Sequence, residues 1–399
     1  FYGLIRNSFT APLTGLVLVV ITGIVFGTLL PAAVQRFSVD PNELERERPY
    51  LEHHINFTRE AYRLHDIVEK PYPVDYSLTR KDLKNNRLTI ENIPLWDYRP
   101  LMDTYTQIQA IRPYYDFNDI DIARYNFNGD YRQIMLAARE LDQKRLPPDS
   151  QTWVNKTFIY THGYGVVASP VNVFTEEGLP ELFIRDIPPR PSVALELNRP
   201  EIYFGERTNE PVIVLAGIEE FDYPHGEKNV FATYAEKTGV SIASLFRRLI
   251  FSIHFGTINY LITDYIHPES RIAYYRNIHQ RVRALAPFLS FDDDPYITVV
   301  DGRLYWIYDA YTFSGRYPYS RPYRQGLNYM RNTVKIVIDA YNGQTTLYTI
   351  GEEQDPLIRA YAKVFPALFT PIEQMPAGLR AQVRYPQDIF DIQAAMFRI

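Results

Sequence analysis

The sequence predicts an α+β fold: one N-terminal transmembrane helix followed by a large domain of antiparallel β-hairpins and several helices. Three observations predict it. No charged residue stands between Arg6 and Arg36. Three turn dipeptides, Asn128-Gly129, Asp301-Gly302 and Asn342-Gly343, each lie between runs rich in β-branched and aromatic residues, the pattern of two-residue type I′ hairpins. Between the hairpins, Val240–His254 and Glu269–Leu289 space their apolar residues at helical intervals.

The centre of the uncharged interval, Leu13 to Leu30, reads LTGLVLVVITGIVFGTLL. At about 1.5 Å per residue it covers roughly 27 Å, close to the hydrocarbon thickness of a bilayer. Gly15, Gly23 and Gly27 weaken a helix in water but serve as close-packing points in lipid. A buried core helix is usually shorter and rarely uncharged for so long. A cleaved signal peptide, with Arg6 as its basic start and Pro31-Ala32-Ala33-Val34 as its exit, has a shorter apolar run than this one. The expectation is one continuous, lipid-exposed helix from about Leu13 to Val34. Residues 1–35 form the membrane segment with its flank, and 36–399 form the polar α+β domain. The start at Phe1 and the amphipathic end DIFDIQAAMFRI read as a piece of a larger protein, truncated at its C-terminus.

The 399 residues carry a net charge of −5 and no Lys/Arg-rich block, which argues against nucleic acid as a partner. With no cysteine, disulfides, thiol catalysis and thiolate metal sites are excluded from this sequence. The 32 tyrosines beside 23 phenylalanines suit half-polar packing surfaces with aromatic cross-strand pairs, or sugar and headgroup binding; the packing reading is preferred.

Along the chain, Pro41 is expected to open a helix with Asp40 as its N-cap. A second helix is expected from about Asn56 to Ile67. Asn92–Asp97 reads as a strand ending in a turn, and Leu101–Ile111 as a short helix closed before Pro113. Asp-Ala-Tyr occurs twice, at Asp309–Tyr311 and Asp339–Tyr341. The two runs therefore read as neighbouring ribbons of one antiparallel sheet, a weak internal repeat.

Eight ordered motifs carry a family resemblance: Asn92–Asp97 (NIPLWD), Asp119–Tyr125 (DIDIARY), Met135–Leu141 (MLAAREL), Tyr160–Gly165 (YTHGYG), Ile202–Glu206 (IYFGE), Glu220–Pro224 (EFDYP), Val300–Leu304 (VDGRL) and Asp309–Thr312 (DAYT). In this order they resemble Uncharacterised Protein Family 0182, large multi-pass membrane proteins of bacteria and some archaea. The resemblance implies about seven membrane helices and then a large extracytoplasmic region; this chain holds the last of those helices and much of that region. It implies no catalytic activity and carries over no functional residue. Flanking Lys/Arg (Arg6 before the span; Arg36, Arg46 and Arg48 after it) would put the long side inside, whereas the resemblance puts it outside. Long domains translocate largely regardless of flanking charge, so the expected location is the cell membrane with the long domain on the extracytoplasmic side.

Candidate sites are few. In Thr161-His162-Gly163-Tyr164-Gly165, His162 can act as a base or ligand beside glycines that let a ligand approach backbone; the alternative is a loop histidine bonded to backbone. Asp222 and His225, in EEFDYPHGE with Glu219 and Glu220, are the other candidate catalytic groups, against a plain turn. Asp116, Asp119 and Asp121 offer hard oxygen ligands for a metal, although the EF-hand glycine and its final glutamate are missing. Asp292, Asp293 and Asp294 read as an exposed turn. Arg247, Arg248, Arg271, Arg276, Arg281 and Arg283 are candidates for an anionic headgroup site, against ordinary helix surface. No G-x-S-x-G elbow is present. The resulting expectation is a non-enzymatic membrane component, a scaffold, sensor or subunit of an envelope complex, with the lipid bilayer and envelope proteins as partners. The alternative is an envelope enzyme or carrier acting on lipid or glycan through His162, Asp222 and His225. No cofactor is indicated.

Overall fold

The computed structural model describes residues 10–72, 76–226, 228–351 and 355–398; Arg6, expected before the span, lies outside them. The chain forms two compact units. One holds the chain through Val68 together with Ser314–Tyr329 and the residues from Ala395. The other holds Glu69–Phe313 and Met330–Ala394.

In the first unit a single helix, α1 (Thr10–Tyr62), runs for 53 residues and is long and apolar enough to cross a membrane. Every side chain from Thr10 to Phe37 is exposed. Pro31 has no N–H to give to the preceding turn, and the helix widens into π turns at Val25–Leu29 and Gln35–Val39. The two helices expected beyond the span are one. Asp40 caps nothing; it sits in a 3₁₀ turn and accepts from Gln35 Nε2 (2.8 Å), and the helix continues through Pro49. It ends where Arg63 turns left-handed (φ 55°). There Tyr62 is buried, donating to the Arg321 carbonyl (3.1 Å) and accepting from the Tyr323 amide (3.1 Å). Phe57 packs against the rings of Tyr317 and Tyr319.

The second unit is built on antiparallel sheet. Its strands are β1 (Tyr115–Phe117), β2 (Asp121–Phe127), β3 (Asp130–Leu141), β4 (Gly163–Tyr164), β5 (Val166–Pro170), β6 (Ile184–Arg185), β7 (Arg190–Pro191), β8 (Leu197–Arg199), β9 (Glu201–Ile202), β10 (Val212–Val214), β11 (Glu220–His225), β12 (Lys228–Ala232), β13 (Val240–Ser241), β14 (Arg271–Ala273), β15 (Ser290–Phe291), β16 (Tyr296–Val300), β17 (Gly302–Ser314), β18 (Tyr329–Asp339), β19 (Thr345–Thr349) and β20 (Phe369–Pro371). One sheet runs β1-β3-β5-β6-β7 with β2 on β3. The largest runs β15-β17-β18-β19-β20 with β16 and β8 on β17. Leu136 and Val166 of the first join Val299, Trp306 and Ile336 of the second in one buried core. Trp306 is fully buried and gives its ring N–H to the Phe204 carbonyl (2.9 Å).

Two of the three expected turns form as anticipated. Asn128-Gly129 and Asp301-Gly302 have positive φ at both residues (55° and 98°; 51° and 75°) and join adjacent strands directly. Asn342-Gly343 does not. Strand pairing stops at Ile338 and Thr345, and only Gly343 has positive φ. The Asp339 carboxylate accepts the amides of Tyr341 (2.8 Å) and Asn342 (3.1 Å), so a side chain shapes a wider loop. Asn92–Asp97 is not a strand; the amides of Leu95 (2.9 Å) and Trp96 (3.4 Å) both donate to the Val171 carbonyl.

Helix α2 (Tyr98–Gln109) starts on an Asp97 cap. Helix α3 (Leu245–Phe255) is followed by the single turn α4 (Asn259–Ile262). The helix expected over Glu269–Leu289 is shorter, α5 (Ile278–Leu285), because Arg271–Ala273 pairs with Val212–Val214 instead.

The Asp-Ala-Tyr repeat has a reciprocal meaning. Its two ribbons lie side by side in the large sheet. Asp309, on β17, pairs with Lys335 of β18, while Asp339, on β18, pairs with Arg303 of β17 (2.8 Å). The Asp309–Lys335 pair is almost fully buried. Removing one partner of such a pair leaves an uncompensated charge. Lys335→Met should therefore cost roughly 3–5 kcal/mol in denaturant unfolding. The double variant Lys335→Met/Asp309→Leu should regain most of that loss, and a neutral single variant contradicts the assignment.

Candidate functional site

The YTHGYG segment crosses the edge of β3. A Cβ at Gly163 would stand 2.4 Å from the Arg139 carbonyl oxygen and 2.7 Å from Glu140 Cα, so only glycine fits there. Gly165 takes φ +74° and bonds to the Pro200 carbonyl (2.7 Å). Gly163 and Tyr164 then pair with Ile202 and Glu201. The glycines thus serve close chain packing.

His162 is buried, with 1% of its surface exposed, and its ring lies over Tyr203 (centroids 4.7 Å apart). Its Nδ1 is 2.9 Å from the Gly163 carbonyl oxygen. A carbonyl only accepts, so Nδ1 carries the proton. Burial holds the imidazole down at about 4, so the ring is neutral and Nε2 is a bare acceptor. Nε2 faces Asp222 Oδ1 at 3.9 Å, beyond hydrogen-bond reach, and that oxygen has no hydrogen-bond partner among the described residues. Burial, then the charge of Glu201, pushes the Asp222 carboxyl up to about 7. A protonated Asp222 removes the clash of two acceptors.

A bulge aims Asp222 inward. Phe221 pairs with Phe231 and Tyr223 with Val230, leaving Asp222 as the extra residue in β11. Next to it, Glu220 is buried and accepts from the hydroxyls of Thr161 and Tyr203, the latter at 2.8 Å. Its second oxygen is buried without a partner among the described residues, and burial pushes its carboxyl up to about 7. Arg276 closes the group, donating to the carbonyls of Thr161, Tyr203 (2.7 Å) and Glu210 (2.9 Å). Thr161 and Arg276 line a cavity of about 160 Å³ with Gln143, Lys156 and Thr208; His162 is not in its lining.

The structure thus brings His162 and Asp222 together and leaves His225 out. His225 is exposed at the tip of the β11–β12 ribbon, paired with Lys228. Glu219 is exposed as well.

The three candidate metal ligands face different partners. Asp116 pairs with Arg145 (3.0 Å) and Arg207 (2.9 Å). Asp121 accepts the Ile297 amide (2.9 Å). Asp119 is half-buried, and burial followed by the Glu206 charge pushes its carboxyl up to about 8. Among the described residues no group of three His, Asp or Glu can hold a metal ion. Asp292, expected in an exposed turn, is buried against the Tyr311 hydroxyl. The arginines do not form one headgroup site. Arg276 is buried, Arg271 donates to the Thr238 carbonyl (2.7 Å), and Arg281 lies over the Phe204 ring (4.8 Å).

Sequence reasoning missed Arg139 and Glu140, two adjacent charges with no exposed surface. Arg139 donates to the carbonyls of Gln109 (2.8 Å) and Tyr164 (2.9 Å). Glu140 accepts the amides of Glu206 (3.0 Å) and Arg207 (2.9 Å), and burial pushes it up to about 7. The signal was present: Arg-Glu interrupts the apolar run MLAAREL, so both must be paired inside. Beyond them His279 bridges Tyr308 (2.8 Å) and Glu206 (3.2 Å).

These features describe an α+β protein with one apolar N-terminal helix and a closed, polar-lined junction in its sheet unit. The family model for Uncharacterised protein family (UPF0182) matches residues 1–399, and the chain belongs to that family. It is 50% identical to a UPF0182 protein of Pelotomaculum thermopropionicum over 95% of this chain and 41% of that protein. It is 51% identical to one of Sulfurovum sp. over 94% of this chain and 41% of that protein, and 45% identical to one of Trichodesmium erythraeum over 98% and 45%. The chain spans less than half the length of these curated relatives. No solved structure matches it.

Two predictions arise from this junction. Gly163→Ala forces a methyl into the β3 backbone and should cost about 1–3 kcal/mol in unfolding; a variant as stable as the parent contradicts the packing account. The second concerns pH. Glu140, Glu220 and Asp222 are held near 7, so the native state keeps protons that the unfolded chain releases above its ordinary carboxyl range. Their stabilisation is complete below that range and lost as pH rises through about 7. His162 has the opposite sign: its contribution is present above 6.5 and lost as pH falls to about 4. Three carboxyls outweigh one imidazole, so the thermal midpoint should fall between about pH 5 and pH 8. Glu220→Gln, a permanent mimic of the protonated acid, should flatten that fall. An unchanged slope contradicts the assignment.

Proposed function

We propose that this protein is a membrane-anchored, non-enzymatic component of the cell envelope, a scaffold, sensor or subunit whose long domain stands on the extracytoplasmic side. The observation that carries the reading is α1. From Thr10 to Phe37 no side chain is buried, and no charge appears before Arg36. Water does not tolerate so long an apolar surface, and a helix satisfies its own backbone in lipid. On this reading, residues 1–35 are the membrane segment and 36–399 the extracytoplasmic part of a multi-pass protein. Lipid and other envelope proteins are its partners. Val20→Arg should cost roughly 2.5–3.5 kcal/mol of insertion free energy, read as the fraction integrated into membranes. Protease added to intact spheroplasts should remove a tag placed after Pro41. Protection until lysis reverses the orientation.

A second reading, an envelope enzyme or carrier acting on lipid or glycan, is favoured by the approach of Asp222 to the bare Nε2 of His162. It requires a route to that nitrogen, and His162 has only 1% of its surface exposed. Diethyl pyrocarbonate on the folded protein decides between them. Mass spectrometry should find His225 modified and His162 protected. Ready modification of His162 favours the enzyme.

A further inference from the structure

Helices α3 and α4 carry an apolar surface that the fold does not use. Ser244 caps α3 by accepting the Arg247 amide, and Gly256 ends it in a left-handed turn (φ 67°). Its inner face is fixed by Phe251, which joins Phe158, Ile242, Tyr260 and Ile272 in a small core. The outer face is also apolar. Leu245 and Phe246 are each 71% exposed and Ile253 is 73% exposed, with Leu249 and Ile250 between them. Positions 245, 246, 249, 250 and 253 form one stripe of a helix. Ile258 and Ile262 extend it across α4 at 63% and 66% exposure. Single exposed apolar residues are ordinary, but a contiguous group of this size marks a docking surface.

The charge around the stripe identifies its occupant. From Ile242 to Thr263 the sequence contains no Asp or Glu, but it contains Arg247, Arg248 and His254. Among the described residues neither arginine has a carboxylate partner; Arg247 reaches the Ser241 carbonyl (3.0 Å) and Arg248 the Ile266 carbonyl (2.8 Å). We infer that α3 and α4 lie in the surface of an anionic bilayer, with the Leu-Phe-Ile stripe among the acyl chains and the arginines at lipid phosphates. An apolar face flanked by cations and free of acids is the composition of an interfacial helix. Arginine stems cover apolar surface while their heads reach phosphate. The inference rests on the reading that α1 is in the membrane, because that tether keeps a bilayer at high local concentration.

The absence of cysteine makes the test direct. Single variants Ile253→Cys, Val20→Cys and Phe174→Cys, each labelled with a polarity-sensitive fluorophore, are placed in vesicles of phosphatidylcholine with or without phosphatidylglycerol. Spin-labelled lipid and aqueous iodide serve as quenchers. With phosphatidylglycerol present, Ile253 should be quenched by spin-labelled lipid and be at least about threefold less accessible to iodide than Phe174. Removing phosphatidylglycerol should reverse much of this. Val20 reports the anchor separately. If Val20 is lipid-quenched while Ile253 behaves like Phe174, the inference is overturned and the anchor stands. If Val20 is not lipid-quenched, the anchor reading fails, and quenching at Ile253 still decides the docking surface. Protection of Ile253 from both quenchers means that protein, such as a second copy, covers the face, and it overturns the inference. Equal docking on neutral vesicles overturns the role given to the arginines.

Discussion

The sheet unit depends on two adjacent ionisable side chains inside β3. Arg139 and Glu140 point to opposite faces of the strand, as successive residues must, and neither touches water. Burying a charge is costly unless it is fully hydrogen-bonded. Here backbone does most of the solvating. Arg139 holds the end of α2 through the Gln109 carbonyl and the YTHGYG segment through the Tyr164 carbonyl. Glu140 holds the turn after Phe204 through two amides. The strand thereby fixes both sides of the junction. It also explains two glycines, since Gly163 lies on the β3 backbone and a Cβ at Gly205 would strike the Glu140 carboxylate.

With its walls held, the junction keeps unusual groups inside. Tyrosine supplies apolar area and a hydroxyl that finds a partner. Tyr203 covers His162 and donates to Glu220, and Tyr234 stacks on Tyr341 (4.7 Å) close by. Low local polarity keeps His162 neutral and favours protonated Glu220 and Asp222. Such an interior can store protons, but His162 faces ring and strand rather than the neighbouring cavity. This arrangement favours a structural junction over a catalytic cleft. It leaves the exposed apolar surfaces, α1 and the α3–α4 stripe, as the parts proposed to meet other molecules.

Legibility from sequence followed the range of the interaction that decides each feature. The long apolar helix was legible because absence of charge is a local property. Asn128-Gly129 and Asp301-Gly302 were legible because left-handed dihedrals are chosen by the residues themselves. Asn342-Gly343 carries the same dipeptide signal, but the Asp339 side chain takes the loop amides and widens it. The helix over Glu269–Leu289 lost its first part to a strand 59 residues earlier, Ile213 opposite Ile272. Asp116 reads as a ligand until Arg145 and Arg207 arrive from other segments. His162 and Asp222 were legible as residue types, whereas the bulge that brings them together was not.

The claim on which this account rests is that β3 organises the junction through the buried Arg139 and Glu140 side chains bonded to backbone. Hydrogen exchange of Glu140→Gln tests it most directly. Glutamine keeps one acceptor but presents an N–H₂ group where the second oxygen stood, so one of the Glu206 and Arg207 amides loses its partner. The account predicts faster exchange in peptides covering residues 203–209, with exchange in β16 and β17 unchanged. Equal protection of residues 203–209 in parent and variant would contradict it.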